Sequence, residues 1–139
     1  MTTRPQQGDV WSYDYLWQRE HEAGQEHGRK PRPTALVATV ASQDGTTNLF
    51  ILPITSKTPG KDRLALEVPQ IERRRAGLDA DKRLWIILDE YNHDILEASY
   101  HFDPNGRLGA FSAMFIRNAL RSFSDAARSR QTRRVPRTD

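Results

Sequence analysis

The sequence predicts a small, mainly β domain with some α-helix, in which a strongly bent antiparallel sheet carries a C-terminal helix. Its length of 139 residues is that of one domain, and a chain of this size buries about two thirds of its unfolded surface. Short β-branched or apolar segments bounded by turn residues recur before residue 90, as strands do. Apolar residues recur at helical spacing near the C-terminus.

The first predicted strand carries alternating aromatic residues. Residues 1–7 are polar and are expected to form a loose N-terminus. Trp11, Tyr13 and Tyr15 then alternate with other residues, which is typical of a strand with one buried face. Residues 18–30 are almost wholly polar and contain glycine breakers, so we expect a long exposed loop. A loop of that length in a small domain is usually functional or disordered.

A β-hairpin is the strongest local prediction. Residues 34–42 are short, β-branched and bounded by turn residues, and residues 49–55 form a matching apolar segment. Asp44 and Gly45 between them are typical turn residues. Because proline has no backbone N–H, Pro53 indicates an edge position or a bulge there.

Three further elements are predicted from local patterns. Residues 64–68 form a short strand, and Pro69 starts a helical turn over residues 69–76, which Gly77 ends. Residues 84–88 are continuously apolar, which favours a central strand buried on both faces.

The predicted C-terminal helix is amphipathic and has about five turns. Its apolar residues recur every four positions: Phe111, Phe115, Ala119, Phe123 and Ala127. The chain is therefore expected to hold a single domain over residues 8–127, followed by a basic tail over residues 128–139.

The composition narrows the chemistry. Only 37% of the residues are hydrophobic and 28% are charged, and there is no cysteine. Disulfides, thiolate nucleophiles and Cys-ligated metal centres are excluded. Residues 1–70 carry eight basic and eight acidic side chains, so the net charge of +3 arises in the second half, mainly at the C-terminus. That end either contacts phosphate or is a solvated, partly disordered tail.

Several function classes lack their sequence signals. No segment has the apolar length of about 20 residues that crosses a bilayer, and the N-terminus has no apolar signal region, so we expect a cytoplasmic protein without membrane contact. Walker, dinucleotide-binding and Gly-x-Ser-x-Gly motifs are absent. We expect no metal and no cofactor, although a centre built from two histidines and a carboxylate stays an alternative.

A few polar residues stand where strands begin or end. Arg32 lies between two prolines, where its guanidinium is placed to hold a phosphate with two hydrogen bonds; alternatively it covers apolar surface with its stem. Thr55 and Ser56 offer donors to a ligand or cap a turn. Asp89 and Glu90 end the apolar strand, or one of them acts as a general base near Arg32.

Together these residues resemble the MazF/PemK (Kid) family of toxin ribonucleases. Gly-Asp-Val-Trp at residues 8–11 is similar to the family's opening motif. The Gly-Gln-Glu-His-Gly sequence at 24–28 is similar to a family loop that leads to Arg-Pro, here at 32–33. Leu-Pro-Ile-Thr-Ser at 52–56 is similar to the next landmark. The resemblance in order and spacing covers residues 8–56, and later segments fit less closely.

The resemblance implies an SH3-like β-barrel, a homodimer and neutralisation by a cognate antitoxin. It also implies cofactor-free, metal-independent cleavage of single-stranded RNA, which leaves a 2′,3′-cyclic phosphate and a 5′-hydroxyl. By similarity, Arg32 stabilises the phosphorane, Thr55 holds a phosphate oxygen, and Glu90 is the base. The residues assigned to substrate binding are Ser56, Glu26, His27 and His93.

Two departures from the family pattern keep other functions open. Leu88 stands where some members have an arginine as general acid, and Gln25 stands where some have a histidine. His27 or His93 is then the candidate acid, since a histidine titrates near neutral pH. The alternatives are a catalytically silent relative that binds nucleic acid, and a protein-interaction module with an aromatic ledge. The ledge residues, Trp11, Tyr13 and Trp17, are instead core residues if they are buried.

Overall fold

The computed structural model describes residues 4–24, 30–99, 101–129 and 131–137. These residues form a strongly curled, mainly antiparallel sheet with few helices, as the sequence predicts. The strands are β1 (Asp9–Tyr13), β2 (Arg32–Ala41), β3 (Thr47–Thr55), β4 (Ala65–Val68), β5 (Leu84–Ile87), β6 (Glu90–Ile95), β7 (Arg107–Ala110) and β8 (Arg133–Pro136). The helices are α1 (Gln18–Glu22), α2 (Gln70–Arg75) and α3 (Ala113–Arg128), and a 3₁₀ turn spans Leu96–Ala98.

Strand β3 lies at the centre of the sheet. One edge pairs with β2, forming the predicted hairpin, and the sheet continues through β1 to β7. The other edge is shared by two strands: β6 pairs with the first half of β3, and β5 pairs with Ile54 and Thr55 at its end. Strand β5 also pairs with β4. Strands β5 and β6, which only residues 88–89 separate in the chain, therefore both pair with β3.

Of the two settings predicted for Pro53, an edge position or a bulge, the edge position is wrong, because Pro53 lies in this central strand. On the β2 side Pro53 stands opposite Thr34. On the other side it lies between the residues that pair with β6 and those that pair with β5. A residue without an N–H fits at the point where the pairing partner changes, because no ladder hydrogen bond is lost there.

The sheet is covered on both faces by apolar side chains. The helix-side core lies between the sheet and α3 and includes Val10, Ala35, Leu52, Ile86, Ile116, Ala119 and Phe123. The aromatic core on the other face comprises Tyr13, Tyr15, Trp17, Leu36, Leu49, Ile51 and Ile87. Because Trp11, Tyr13 and Trp17 are all buried, the interpretation of these aromatics as core residues is confirmed. The segment 84–88 is buried throughout, as predicted.

Helix α3 packs on the sheet through most of the predicted stripe, since Phe111, Ala119 and Phe123 are buried and Phe115 packs partly buried against the same core. Its buried residues are Ile116, Ala119, Phe123 and Ala126, whereas Ala127 is exposed. The period of 3.6 residues per turn moves the buried stripe away from strict four-residue spacing. Ser112 caps the helix by accepting a hydrogen bond from the Phe115 N–H at 3.2 Å.

The polar segment after β1 is partly ordered, so the prediction of a loop over all of residues 18–30 is wrong at its start. Helix α1 occupies Gln18–Glu22. The buried Glu20 carboxylate accepts a hydrogen bond from the Trp17 N–H at 3.0 Å. This contact holds the helix start, so a segment without an apolar pattern still forms a turn of helix.

The C-terminal basic segment is integrated into the sheet. Strand β8 pairs with β6 in parallel, and Val135 is fully buried. The Arg137 side chain is also buried, with 1% of its area exposed, and it donates hydrogen bonds to the Asp14 backbone carbonyl and to Asn92. The expectation of a partly disordered tail is therefore wrong for residues 133–137, although Arg133 and Arg134 are exposed to solvent.

None of the helices in the described ranges has the length and apolar character needed to cross a bilayer.

Candidate functional site

The hairpin brings two of the predicted catalytic side chains to the same end of the sheet. Thr34 on β2 stands opposite Pro53 on β3. Arg32 begins β2 and Thr55 ends β3, each two residues beyond that pair. Because strand side chains alternate between faces every residue, Arg32 and Thr55 share one face at this end.

The Arg32 guanidinium lies over the ring of Trp17, with its carbon 5.0 Å from the ring centre. Its Nε atom is buried and has no hydrogen-bond partner, and neither has the buried Trp17 Nε1. No ion pair of Arg32 occurs among the described residues. Buried donors are almost always satisfied by protein, water or a bound group, so these two N–H groups identify a place where an acceptor is expected.

Arg32 and Thr55 line a cleft of about 570 Å³, which we call the Arg32 cleft. Its other lining residues are Trp17, Arg19, Lys57, Thr58, Pro59, Gly60, Arg63 and Ile87. Counting Arg32, four of the ten lining residues are cationic, and no described lining residue is acidic. The Thr55 hydroxyl accepts a hydrogen bond from the Lys57 N–H at 3.1 Å, which leaves its own proton available to donate. Such a cleft favours an anionic ligand with several acceptor oxygens.

Ser56 lies in an adjoining cleft of about 360 Å³ that shares Arg32 and Thr55 with the first. Lys30 and Lys82 add positive charge to this second cleft, and Asp79 adds one negative charge. The side chain of Ser56 is exposed. Arg32, Thr55 and Ser56 are thus brought together, as the sequence analysis predicts.

Glu90 lies elsewhere, in a third cleft of about 380 Å³, which we call the Glu90 cleft. It borders the Arg32 cleft through Arg19 and Arg63, which line both. Glu90 is buried, and its carboxylate accepts hydrogen bonds from Arg63 at 3.0 Å, Tyr15 at 3.1 Å and the Gln18 N–H at 2.9 Å. These donors come from two parts of the chain, residues 15–18 and Arg63, and the carboxylate holds the two together.

Arg63 is held by two carboxylates. Its Nε and one terminal nitrogen donate to Asp89 at 2.8 and 2.7 Å, and the latter nitrogen also contacts Glu90. The hydrogen bonds to Asp89 are the main reason that the pKa of Arg63 is raised. Burial, followed by the Glu90 charge, raises the pKa of the Tyr15 phenol. The cluster therefore holds a charged arginine and a neutral tyrosine around Glu90.

His93 lies in none of these three clefts. On β6, its Nε2 contacts Asn48 Oδ1 at 2.8 Å and its Nδ1 contacts Arg134 at 3.0 Å. Burial and the Arg134 charge lower its pKa. Glu26 and His27, the other predicted substrate-binding residues, lie outside the described residues. The structure thus places Arg32, Thr55 and Ser56 together, with Glu90 next to them and His93 apart.

Sequence reasoning missed Arg19, Arg63 and the contact of Trp17 with Arg32. Arg19 lies in a short helix that has no apolar periodicity, so no pattern indicated its position. Arg63 meets its partners 26 and 27 positions later in the chain. The prolines beside Arg32 were the only local signal, because they constrain the backbone that carries its side chain.

Among the described residues, no group of three or more histidine, aspartate or glutamate side chains is arranged to hold a metal ion. Comparisons of the chain with protein-family models, with curated proteins and with solved structures find no match.

Proposed function

We propose that this protein is the toxin of a type II toxin–antitoxin system, a metal-independent endoribonuclease that cleaves single-stranded RNA. The observation that carries the proposal is the meeting of Arg32 and Thr55 in a cleft whose charged lining is cationic. RNA supplies the anionic phosphodiesters that such a lining attracts. The resemblance over residues 8–56 assigns these same two side chains to the scissile phosphate.

In the proposed reaction, the ribose 2′-oxygen attacks the adjacent phosphorus and the bond from phosphorus to the 5′-oxygen breaks. A base takes the 2′-hydroxyl proton and an acid protonates the leaving 5′-oxygen. The products are a 2′,3′-cyclic phosphate and a 5′-hydroxyl. Charge builds up on the non-bridging oxygens, and a guanidinium fork stabilises it with two hydrogen bonds. Arg32 takes this role, and Thr55 donates to one oxygen.

Glu90 as base remains a prediction from the resemblance. Three donors occupy its carboxylate in the structure, and they support a second assignment, in which Glu90 positions Arg63 at the border of the Arg32 cleft. The proton-transfer groups then come from other residues.

The proposal extends to the fold and partners that the resemblance implies: an SH3-like barrel, a homodimer and a cognate antitoxin in the cytoplasm. The curled sheet supports the first of these. Sedimentation of the purified chain tests dimerisation. Co-expression with the neighbouring reading frame tests the antitoxin, since a cognate antitoxin co-purifies and restores growth.

A catalytically silent nucleic-acid-binding protein is the second candidate. Leu88, which stands where some family members have a general-acid arginine, is buried in the helix-side core. A silent protein binds RNA in the same cationic cleft and leaves it intact.

The test is incubation of the purified chain with mixed-sequence single-stranded RNA in the presence of a chelator. We expect fragments that end in 2′,3′-cyclic phosphate, and Arg32→Ala is expected to slow their formation about 100-fold or more. Arg128→Ala is the matched control, because Arg128 is exposed and its one ion pair within the described ranges is with Asp125 in α3. Binding without cleavage establishes the second candidate, and absence of both rejects the two together.

A further inference from the structure

The guanidinium groups of two arginines lie over the ring of Trp17. The guanidinium carbons of Arg19 and Arg32 each lie 5.0 Å from the ring centre. The two carbons are therefore at most twice that distance apart. Both side chains line the Arg32 cleft. A tryptophan ring attracts guanidinium groups through its negative face, and the planar groups can stack on it.

Trp17 itself is fixed. It is buried, with 6% of its area exposed, and it belongs to the aromatic core, where its ring meets Tyr15 edge-on at 5.2 Å. Its Nε1 is one of the two buried donors without a partner beside the cleft. The core thus holds the ring under the two arginines in place.

The two arginines also lack the neutralising contacts that other arginines of this chain have. Arg63 pairs with Asp89 and Glu90, whereas no ion pair of Arg19 or Arg32 occurs within the described ranges. A guanidinium stacked on a ring keeps its N–H edge free to donate. Two such edges in one cleft offer two anion-binding forks.

We propose that Arg19 is a second phosphate-binding residue, which Trp17 aligns beside Arg32 so that the cleft binds two successive phosphates of one nucleic-acid strand. This inference rests on the proposed function and identifies the part of the substrate next to the scissile phosphate. Arg32 holds the scissile phosphate and Arg19 holds its neighbour. Trp17 is a positioning residue, because it acts through the two arginines.

The physical advantage is preorganisation. A free arginine loses side-chain entropy when it binds an anion, and a ring that already holds the guanidinium in place removes part of that cost. The second phosphate also fixes the position of the strand along the cleft, which favours presentation of the reactive 2′-hydroxyl to Arg32 and Thr55 in one register.

The test uses a labelled 2′-O-methyl oligonucleotide of about eight nucleotides, which fits one binding groove and cannot be cleaved because its 2′-oxygen is blocked. Affinity is measured at several salt concentrations for the wild type, Arg19→Gln, Arg32→Gln and the exposed control Arg128→Gln. The slope of log K against log salt is negative, and each lost phosphate contact makes it less steep by about 0.7 for a single strand. We expect that decrease for Arg19→Gln and for Arg32→Gln, and an unchanged slope for the control.

A second measurement separates phosphate contact from general charge. A nucleoside 3′,5′-bisphosphate is expected to bind the wild type more tightly than the 5′-monophosphate, and Arg19→Gln is expected to remove most of this difference. If Arg19→Gln leaves both the slope and the bisphosphate preference unchanged, Arg19 is not a phosphate-binding residue.

Trp17→Phe tests the alignment while it keeps an apolar ring in the core. Phenylalanine attracts a guanidinium less strongly than tryptophan, so Arg19→Gln is expected to weaken binding less in the Trp17→Phe background than in the wild type. Equal effects in the two backgrounds overturn the role of Trp17. A wild type that binds no oligonucleotide rejects the proposed function itself, whereas normal binding with an unchanged Arg19→Gln slope rejects only this inference.

Discussion

Arg32 and Arg63 line the same cleft, and they differ in what their guanidinium groups contact. Arg63 is matched by two carboxylates, with nitrogen–oxygen distances of 2.7 Å to Asp89 and 3.0 Å to Glu90. Arg32 lies on the ring of Trp17 and leaves its buried Nε without a partner. The protein supplies hydrogen-bond acceptors to Arg63, whereas the Nε of Arg32 has no acceptor among the described residues.

The difference separates a structural arginine from a ligand-binding one. A guanidinium paired with carboxylates has its hydrogen bonds satisfied within the fold, and its removal leaves those carboxylates without a partner. A guanidinium stacked on an aromatic ring keeps its charge and its donors for a ligand. We therefore expect substitutions in the Glu90 cleft to change mainly the stability of the fold. Substitutions in the Arg32 cleft are expected to change mainly RNA binding and cleavage.

Arg63→Ala is expected to lower the free energy of unfolding by about 2–3 kcal/mol. The substitution leaves Asp89 and the buried Glu90 without their shared cation, and removal of one partner from a buried ion pair is costly. The value lies below that of a fully buried pair because the Arg63 side chain is 32% exposed. Urea denaturation measures the loss, and Arg32→Ala in parallel is expected to cost less than about 1 kcal/mol. Equal losses of unfolding free energy in Arg63→Ala and Arg32→Ala would contradict the distinction between a structural and a ligand-binding arginine.

Glu90→Gln is expected to cost about 1–2 kcal/mol of stability, because an amide nitrogen replaces one oxygen that accepts a hydrogen bond. Asp62→Asn is the control, since Asp62 lines the same cleft and is exposed. Cleavage is measured per folded molecule, below the unfolding transition. A loss near that of Arg32→Ala, with the fold intact, supports Glu90 as the base. A loss of a few-fold supports its role in holding Arg63.

Arg32→Lys keeps the positive charge and removes the planar fork. We expect cleavage to fall about tenfold, equivalent to about 1.4 kcal/mol, because an ammonium cannot donate two parallel hydrogen bonds to one phosphate. Initial rates at saturating RNA measure the change. Full activity in this variant shows that charge alone is needed.

Thr55→Val is expected to slow cleavage by a few-fold, consistent with the loss of one neutral hydrogen bond of about 1 kcal/mol. Stability changes less, because the bond that the hydroxyl accepts from Lys57 is exposed. Thr58→Val in the same cleft is the control. If Thr55→Val and Thr58→Val cleave RNA at the same rate, the Thr55 hydroxyl does not donate to the scissile phosphate.

The smallest effect concerns pH. Burial and Arg134 lower the pKa of His93 below its ordinary value of 6.5. Between the folded and unfolded values the unfolded chain binds more protons, so this contribution to stability is complete above pH 6.5 and is lost as the pH falls through the folded value. His93→Gln is expected to flatten the fall slightly, as measured by thermal unfolding across this range. An identical profile in the variant contradicts the assignment to His93.

Local patterns predicted much of the fold. Alternating and β-branched residues indicated the hairpin of β2 and β3, and a continuous apolar segment indicated the buried strand at 84–88, because strand formation and burial follow nearby side chains. The same reasoning was wrong for residues 18–22 and 133–137. Those segments are held by partners elsewhere in the chain: Glu90 for α1 and β6 for the C-terminus.

For the candidate site, the sequence by itself determined which groups are available. Arg32 begins the first strand of one hairpin, and Thr55 and Ser56 lie at the end of its second strand. Pairing within the hairpin alone brings the three residues together. Only the tertiary structure decided what each charged group contacts. Glu90 meets Tyr15 across 75 positions, and both Arg19 and Arg32 lie over the ring of Trp17. The reason is physical: pairing within a hairpin depends on neighbouring residues, whereas neutralisation of a charge depends on how the whole sheet curls.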